Sequence, residues 1–202
     1  MKRRNFIFDI FSISLMSSIS TRLKANNLNF SPMVRSISTW KTTEANYKAG
    51  SLLDNGTDAL NAAVIGVAVE EENPKNTTVG YGGAPDRSGN VTLDACVMNH
   101  LGDCGSVVAV ENIMNVARLA KDVMEKTPHV MLAGKGAEEF AISEGYKKID
   151  LLTETSKKDW EKWLENEEYK PIIKIENHDP IGMLCLDKNN NMPGARTTSG
   201  LA

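Results

Sequence analysis

The ten residues Asn177-His178-Asp179-Pro180-Ile181-Gly182-Met183-Leu184-Cys185-Leu186 place a polar, titratable string directly ahead of an apolar run. A second apolar run, Ile172 to Ile175, precedes it, so Glu176 to Pro180 separates two candidates for short buried strands. Titratable groups held at the mouth of a strand are a common setting for catalysis. His178 beside Asp179 reads as an acid/base pair on that ground. Adjacent side chains of an extended chain point to opposite faces, however, so the competing reading packs one inward and leaves the other solvated. Downstream, the turn signal Asp187 to Asn191 joins the run to a strand-like stretch from Ala195 to Ser199, which makes a hairpin.

Working outward toward the N-terminus, residues 153–168 alternate charge signs in helical register, with Trp160, Trp163 and Leu164 on one side. That is a solvated helix packed by its aromatics. Val130 to Ala133 reads as a short buried strand, and Gly134-Lys135-Gly136 as a tight turn into a helix that Gly145 ends. The glycines there lack the length and the Lys-Ser/Thr of a phosphate loop. Ile113, Val116, Ala117, Ala120, Val123 and Met124 form the apolar face of another helix, closed by Pro128. Val91, Leu93, Ala95 and Val97 alternate as a half-buried strand, followed by a second from Ser106 to Val110 across a hairpin. A helix opens near Thr57 and Asp58, repeats Leu60, Val64, Val67 and Ala68, and ends at Asn73-Pro74. Ile37 to Trp40 is a short extended segment.

The chain has 202 residues, a net charge of −3 and an ordinary 41% of hydrophobic residues, so collagen-like, coiled-coil and fully disordered readings fall away. The first thirty residues carry five basic side chains and one acid, which leaves the remaining body at −7. That acidity argues against nucleic acid as a partner. The same thirty residues read as an export leader: a basic start, then apolar and small residues from Phe6 to Ile19. The run is too short, too rich in serine and too burdened by Asp9 for a membrane anchor. Arg3-Arg4-Asn5-Phe6-Ile7 resembles a twin-arginine signal, which directs the body to the periplasm or outside the cell, with no membrane partner once the leader is removed. Of three cysteines, Cys96, Cys104 and Cys185, at least one stays free. A Cys96–Cys104 bridge is sterically conceivable, and three small buried thiols is the preferred reading. His100 and His129 lack suitably spaced partners for a metal.

Four stretches in series carry a family resemblance: Ser38-Thr39-Trp40, the run Val79 to Cys96 (VGYGGAPDRSGNVTLDAC), the run Met124 to Leu132 (MEKTPHVML), and Asn177 to Met183 together with Ala195 to Gly200. Together they resemble the glycosylasparaginases, N-terminal nucleophile hydrolases of the type 2 asparaginase family, which cut the amide between N-acetylglucosamine and asparagine. The resemblance implies an α+β fold, the αββα four-layer sandwich, incomplete here at its C-terminal end. It implies residues 1–30 as leader and 31–202 as the domain, with an α-chain region to residue 179 and the start of a β-chain region from 180. It also implies a small glycoasparagine substrate, no cofactor and no metal, and is compatible with a homodimer. A plain asparaginase or isoaspartyl peptidase is the enzymatic alternative.

In that family a threonine hydroxyl after the Asp attacks the preceding carbonyl, and the resulting ester is hydrolysed to free two chains. The new terminal threonine then has a hydroxyl nucleophile and its own amine as base. By resemblance Asp179 is the acid that promotes cleavage and His178 helps to shape the scissile turn. Trp40 walls the substrate pocket, and Thr198 supports the nucleophile. The nucleophile position itself is Pro180, which has no hydroxyl. The sequence also ends at Ala202, ahead of the family segments that grip the substrate. The expectation is therefore a family amidohydrolase that is inactive as written, or else an inactive exported relative that binds a ligand or partner. The strand at Ile181 to Leu186 is expected to lack a neighbour on one side, leaving an edge open to aggregation or dimer formation.

Overall fold

A computed structural model describes residues 33–165 and 180–200, all within one contact unit spanning Pro32–Ala202. In chain order the elements are β1 (Arg35–Ser38), α1 (Thr43–Asp54), α2 (Ala59–Glu71), β2 (Leu93–Met98), β3 (Cys104–Val110), α3 (Val116–Lys126), β4 (Met131–Ala133), α4 (Gly134–Ser143), α5 (Glu154–Glu165), β5 (Ile181–Leu186) and β6 (Gly194–Ser199). The expected leader and the run Ile172 to Ile175 lie outside the described residues.

The strands form one mixed sheet in the order β1-β5-β6-β2-β3-β4. All neighbours are antiparallel except β3 and β4. Period-two alternation decides its two faces. Leu93, Ala95, Val97, Val107, Ile181, Met183, Cys185 and Ala195 are buried on one face, where α1, α2 and α3 pack. The opposite face carries Ile37 (65% exposed), Leu184 (47%), Met98 and Met131, all open among the described residues.

Each helix on the covered side follows from its sequence. In α2 the Asp58 side chain caps the first turn by accepting from the Asn61 amide at 3.0 Å, and the helix is apolar almost all round because it lies between the sheet and its neighbours. Helix α1 is not legible from large apolar residues. Its buried stripe is Ala45, Ala49 and Leu53, so a four-residue spacing of mostly small side chains holds it close to α2.

Several expectations need correction. Strand β5 has partners on both sides, β1 pairing Ser38 with Met183 and β6 pairing Ile181 with Thr197, so the open surface is a sheet face and not an edge of β5. Strand β1 ends at Ser38, with the Thr39 amide still bonded to Gly182 O, and Trp40 turns into the left-handed region at φ 58. Among the described residues strand β4 pairs only with β3 and exposes Met131 and Ala133, so it is not buried. Leu164 is exposed, and α5 docks through half-buried Trp160 and Trp163 and through the buried Ser156, whose hydroxyl donates to Gly82 O at 2.5 Å. Only Cys185 is a buried thiol, pushed by burial up to about 12 and therefore neutral; Cys96 is exposed and Cys104 half-buried, and all three are free.

Candidate functional site

The start of β5 is held by residues far away in the chain. Thr39 accepts from the Gly182 amide through its hydroxyl at 2.9 Å and donates that same hydroxyl to Pro180 O at 3.1 Å. The Thr39 amide donates to Gly182 O at 2.9 Å. One residue of the β1 end therefore grips the backbone on both sides of Ile181. The hydroxyl of Thr42 donates to Thr39 O at 3.0 Å and shares a hydrogen bond with the Ser38 hydroxyl at 2.8 Å, which stabilises the turn carrying Trp40. Trp40 is 54% exposed, placed one residue from the Thr39 clamp.

Register brings the other residue in. The β5–β6 pairing starts with Ile181 opposite Thr197, so Pro180 immediately precedes it and Thr198 is the residue after Ile181's partner on β6. Thr198 is on the open face, because Thr197 is on the covered one. The Thr198 hydroxyl has only long contacts, 3.5 Å to Thr78 O and 3.2 Å to Ser199 O. Ser199 anchors the end of β6 to the loop before β2: its amide donates to Thr78 O at 2.8 Å, and Gly200 donates to Thr92 O at 2.8 Å. His178 and Asp179 lie outside the described residues.

Across the sheet, Asp94 stands opposite Thr198 on β2. A bulge in β3 puts Ala109 at φ 52 and lets its amide donate to Asp94 Oδ1 at 2.6 Å. Asp94, Cys96, Ser106, Val108, Arg196 and Thr198 line a shallow cavity of about 290 Å³ on this open face. The structure thus joins the Thr39–Trp40 turn to Pro180 and Gly182, and sets Thr198 in the cavity with Asp94. The motif Ser38-Thr39-Trp40 is informative for its tryptophan, but the clamp made by Thr39 is invisible without the β1–β5 pairing. Asp94 was hidden as an ordinary polar residue of an alternating strand, although an acid between Leu93 and Ala95 is the signal that could have found it.

The Thr39 clamp predicts a measurable cost. Replacing Thr39 with Val removes both hydrogen bonds of one partly solvated hydroxyl, which is worth about 1 kcal/mol. A fall in melting midpoint of about 3 °C is expected by circular dichroism, and Thr39→Ser should retain most of the parent value.

Comparison with known proteins supplies the family. The family model described as Asparaginase matches residues 25–202. The chain is 53% identical over 167 residues to the N(4)-(beta-N-acetylglucosaminyl)-L-asparaginase of Elizabethkingia miricola, covering 82% of this chain and 49% of that one. It is 31% identical over 201 residues to the enzyme of the same name from Rattus norvegicus, covering 84% and 58%. The Mus musculus protein is 32% identical over 203 residues, covering 85% and 59%. The chain spans about half the length of the curated relatives it matches. Because the match runs through β1, the loop before β2, the β2–β3 hairpin and the β5–β6 site, the chain belongs to the type 2 asparaginase family and is similar within it to the glycosylasparaginases.

Proposed function

We propose that this chain carries the reaction centre of a glycosylasparaginase-type amidohydrolase at the start of β5, and that proline at position 180 holds it in an unprocessed, catalytically silent form. The observation that carries the reading is the placement of residue 180. It immediately precedes Ile181, which pairs with Thr197 next to Thr198 on β6, and its carbonyl accepts from the Thr39 hydroxyl at 3.1 Å. In the active arrangement a threonine at 180 attacks the Asp179 carbonyl carbon through its hydroxyl. The peptide C–N bond breaks, the nitrogen takes up the proton as the new α-amine, and water hydrolyses the ester. That amine is then the base for the same hydroxyl when it attacks the substrate amide. Asp179 promotes the first step, His178 shapes the turn, Trp40 walls the pocket and Thr198 supports the nucleophile. No cofactor enters this chemistry.

The substrate class is a small glycoasparagine, and the exposed apolar residues Ile37, Leu184, Met98 and Met131 support a second sheet laid over the open face, which gives the four-layer αββα arrangement. The −7 body and the basic leader support an exported protein of the periplasm or cell exterior. Among the described residues no helix is long and apolar enough to cross a membrane. A second reading, an exported relative that binds a ligand or a partner without turnover, is favoured by one observation, the proline itself.

Supplying N-acetylglucosaminyl-asparagine to the chain as written and to a Pro180→Thr form extended to the length of the relatives tests the proposal. Aspartate release is expected only from the second. Turnover of free asparagine in place of the glycosylated substrate would move the assignment to the plain asparaginases. Specific, saturable binding of the glycoasparagine by the Pro180 chain, with no turnover in either form, would favour the binding reading.

A further inference from the structure

Helix α5 and the loop before β2 enclose a second cavity of about 220 Å³, walled by Thr77, Ala84, Pro85, Asp159, Trp160 and Trp163. Neither Pro180 nor Thr198 lines it. The two tryptophans lie three residues apart on one side of α5 and are only half-buried. Both rings are fixed from the loop. Gly89, at φ +88, lies so close that a Cβ there would stand 3.0 Å from Trp160 Cη2, and the Arg87 guanidinium stacks 5.6 Å from the centroid of Trp163. The Trp160 Nε1 is buried without a hydrogen-bond partner among the described residues, an orphan donor that costs free energy until an acceptor reaches it.

The rim is polar. Asp159 is exposed and pairs with Lys162 at 3.7 Å, long for an ion pair. Thr77 engages the fold through its carbonyl, which accepts from the Ala84 amide at 2.8 Å, so its hydroxyl is left at the rim. Strands β1 and β6 end, and β2 and β5 begin, at one end of the sheet, with Ser38 opposite Met183, Ile181 opposite Thr197 and Leu93 opposite Ser199. The loop that carries Thr77 is tied to that same end, because Thr78 O accepts from the Ser199 amide at 2.8 Å.

We propose that this cavity is a carbohydrate subsite, taking a pyranose of the substrate's glycan beyond the one joined to asparagine; the identity of the sugar rests on the glycosylasparaginase reading. One face of a pyranose presents C–H groups of slight positive charge and the face of an indole is negative, so the two stack. The ring's hydroxyls both donate and accept. Asp159 accepts from them, the Thr77 hydroxyl does either, and the Trp160 N–H donates to a sugar oxygen. The cavity is smaller than the roughly 300 to 1,000 Å³ of pockets for drug-sized ligands, so it takes one ring and not a chain. Rings already held in place lose little freedom on binding. An anion would be repelled by Asp159, and a purely apolar ligand would strip water from that carboxylate without replacing it.

The test uses the chain as written and, as probe, the disaccharide of two β1,4-linked N-acetylglucosamines. The chain has three tryptophans, so three indole N–H signals report in a nitrogen-15 NMR spectrum, assigned with Trp160→Phe and Trp163→Phe. The Trp160 and Trp163 signals should shift and saturate with a midpoint on the order of 1 mM, while the Trp40 signal stays in place. Trp163→Ala should weaken binding about tenfold or more. Should it not fold, Asp159→Asn, at an exposed position, decides: a loss of roughly threefold is expected, and unchanged affinity refutes the rim contact. No saturable shift up to about 20 mM, or a shift of Trp40 alone, overturns the proposal. An equal response to cyclohexanol overturns it too, since that shows only an apolar hollow. The probe carries no asparagine, so its failure to bind leaves amide hydrolysis untouched, and absence of turnover in the extended Pro180→Thr form leaves this binding untouched.

Discussion

A Pro180→Thr chain extended to the length of its relatives is expected to split after residue 179, giving two bands on a denaturing gel, whereas the chain with proline runs as one band at any incubation time. The difference is all-or-none because it rests on an atom. Proline has no hydroxyl to attack the Asp179 carbonyl, and its nitrogen is a tertiary amide within the chain. A chain cut there by another protease would expose a secondary amine with no side-chain nucleophile beside it. The carbonyl of residue 180 is held by Thr39, and β5 starts directly after it, paired with the strand that carries Thr198. A Pro180→Ala control extended in the same way should also remain whole, which separates the missing hydroxyl from any effect of the proline ring on the turn. Cleavage of the Pro180 chain would refute the nucleophile assignment. An intact Pro180→Thr form would show that the residues around the junction do not activate a hydroxyl placed there.

The second large effect lies in the loop before β2. Gly80 has φ +60, and a Cβ there would meet Glu71 O at 2.1 Å. The neighbouring Tyr81 amide donates to that same Glu71 carbonyl at 2.7 Å, so the loop is laid directly on the end of α2. Gly80→Ala must therefore move backbone against backbone and also hold a left-handed residue, at a cost on the order of 3 kcal/mol or more. For a domain of this size that lowers the melting midpoint by roughly 10 °C. Gly56 is the matched control: its φ is +86, yet nothing lies within 4 Å of its Cβ position. Gly56→Ala should cost only about 1 kcal/mol, and equal melting points for the two variants would remove close approach as the cause. The loss should reach the site as well, because Thr77 and Thr78 in this loop hold Ser199 at the end of β6.

Local pattern was a good guide where one residue type dominates a period. The alternation Leu93, Ala95, Val97 reads directly as a strand with one covered face, and the apolar recurrence in α3 reads as a helix. It was a poor guide where the side chains are small, as in α1, which its packing against α2 holds in place, and it gave the short strand β4 but not its exposure. The site divides in the same way. The string ending at Pro180 and the hydroxyl of Thr198 were visible as residues. That β5, which starts after Pro180, pairs with the strand carrying Thr198 was not, since it requires the β5–β6 register.

By itself the amino-acid sequence determined the family, the alternating faces of the strands, the acidic body and the chemical fact that residue 180 carries no hydroxyl. Each of these belongs to a residue or to a short period along the chain. Only the tertiary structure decided that β1 flanks β5, that Thr39 grips Pro180 and Gly182 across 141 and 143 residues of sequence, and that Glu71 accepts from the Ala117 amide at the start of α3. These contacts arise when distant segments are packed together out of water, where a hydroxyl or a carboxyl must find a partner or carry the cost of lacking one.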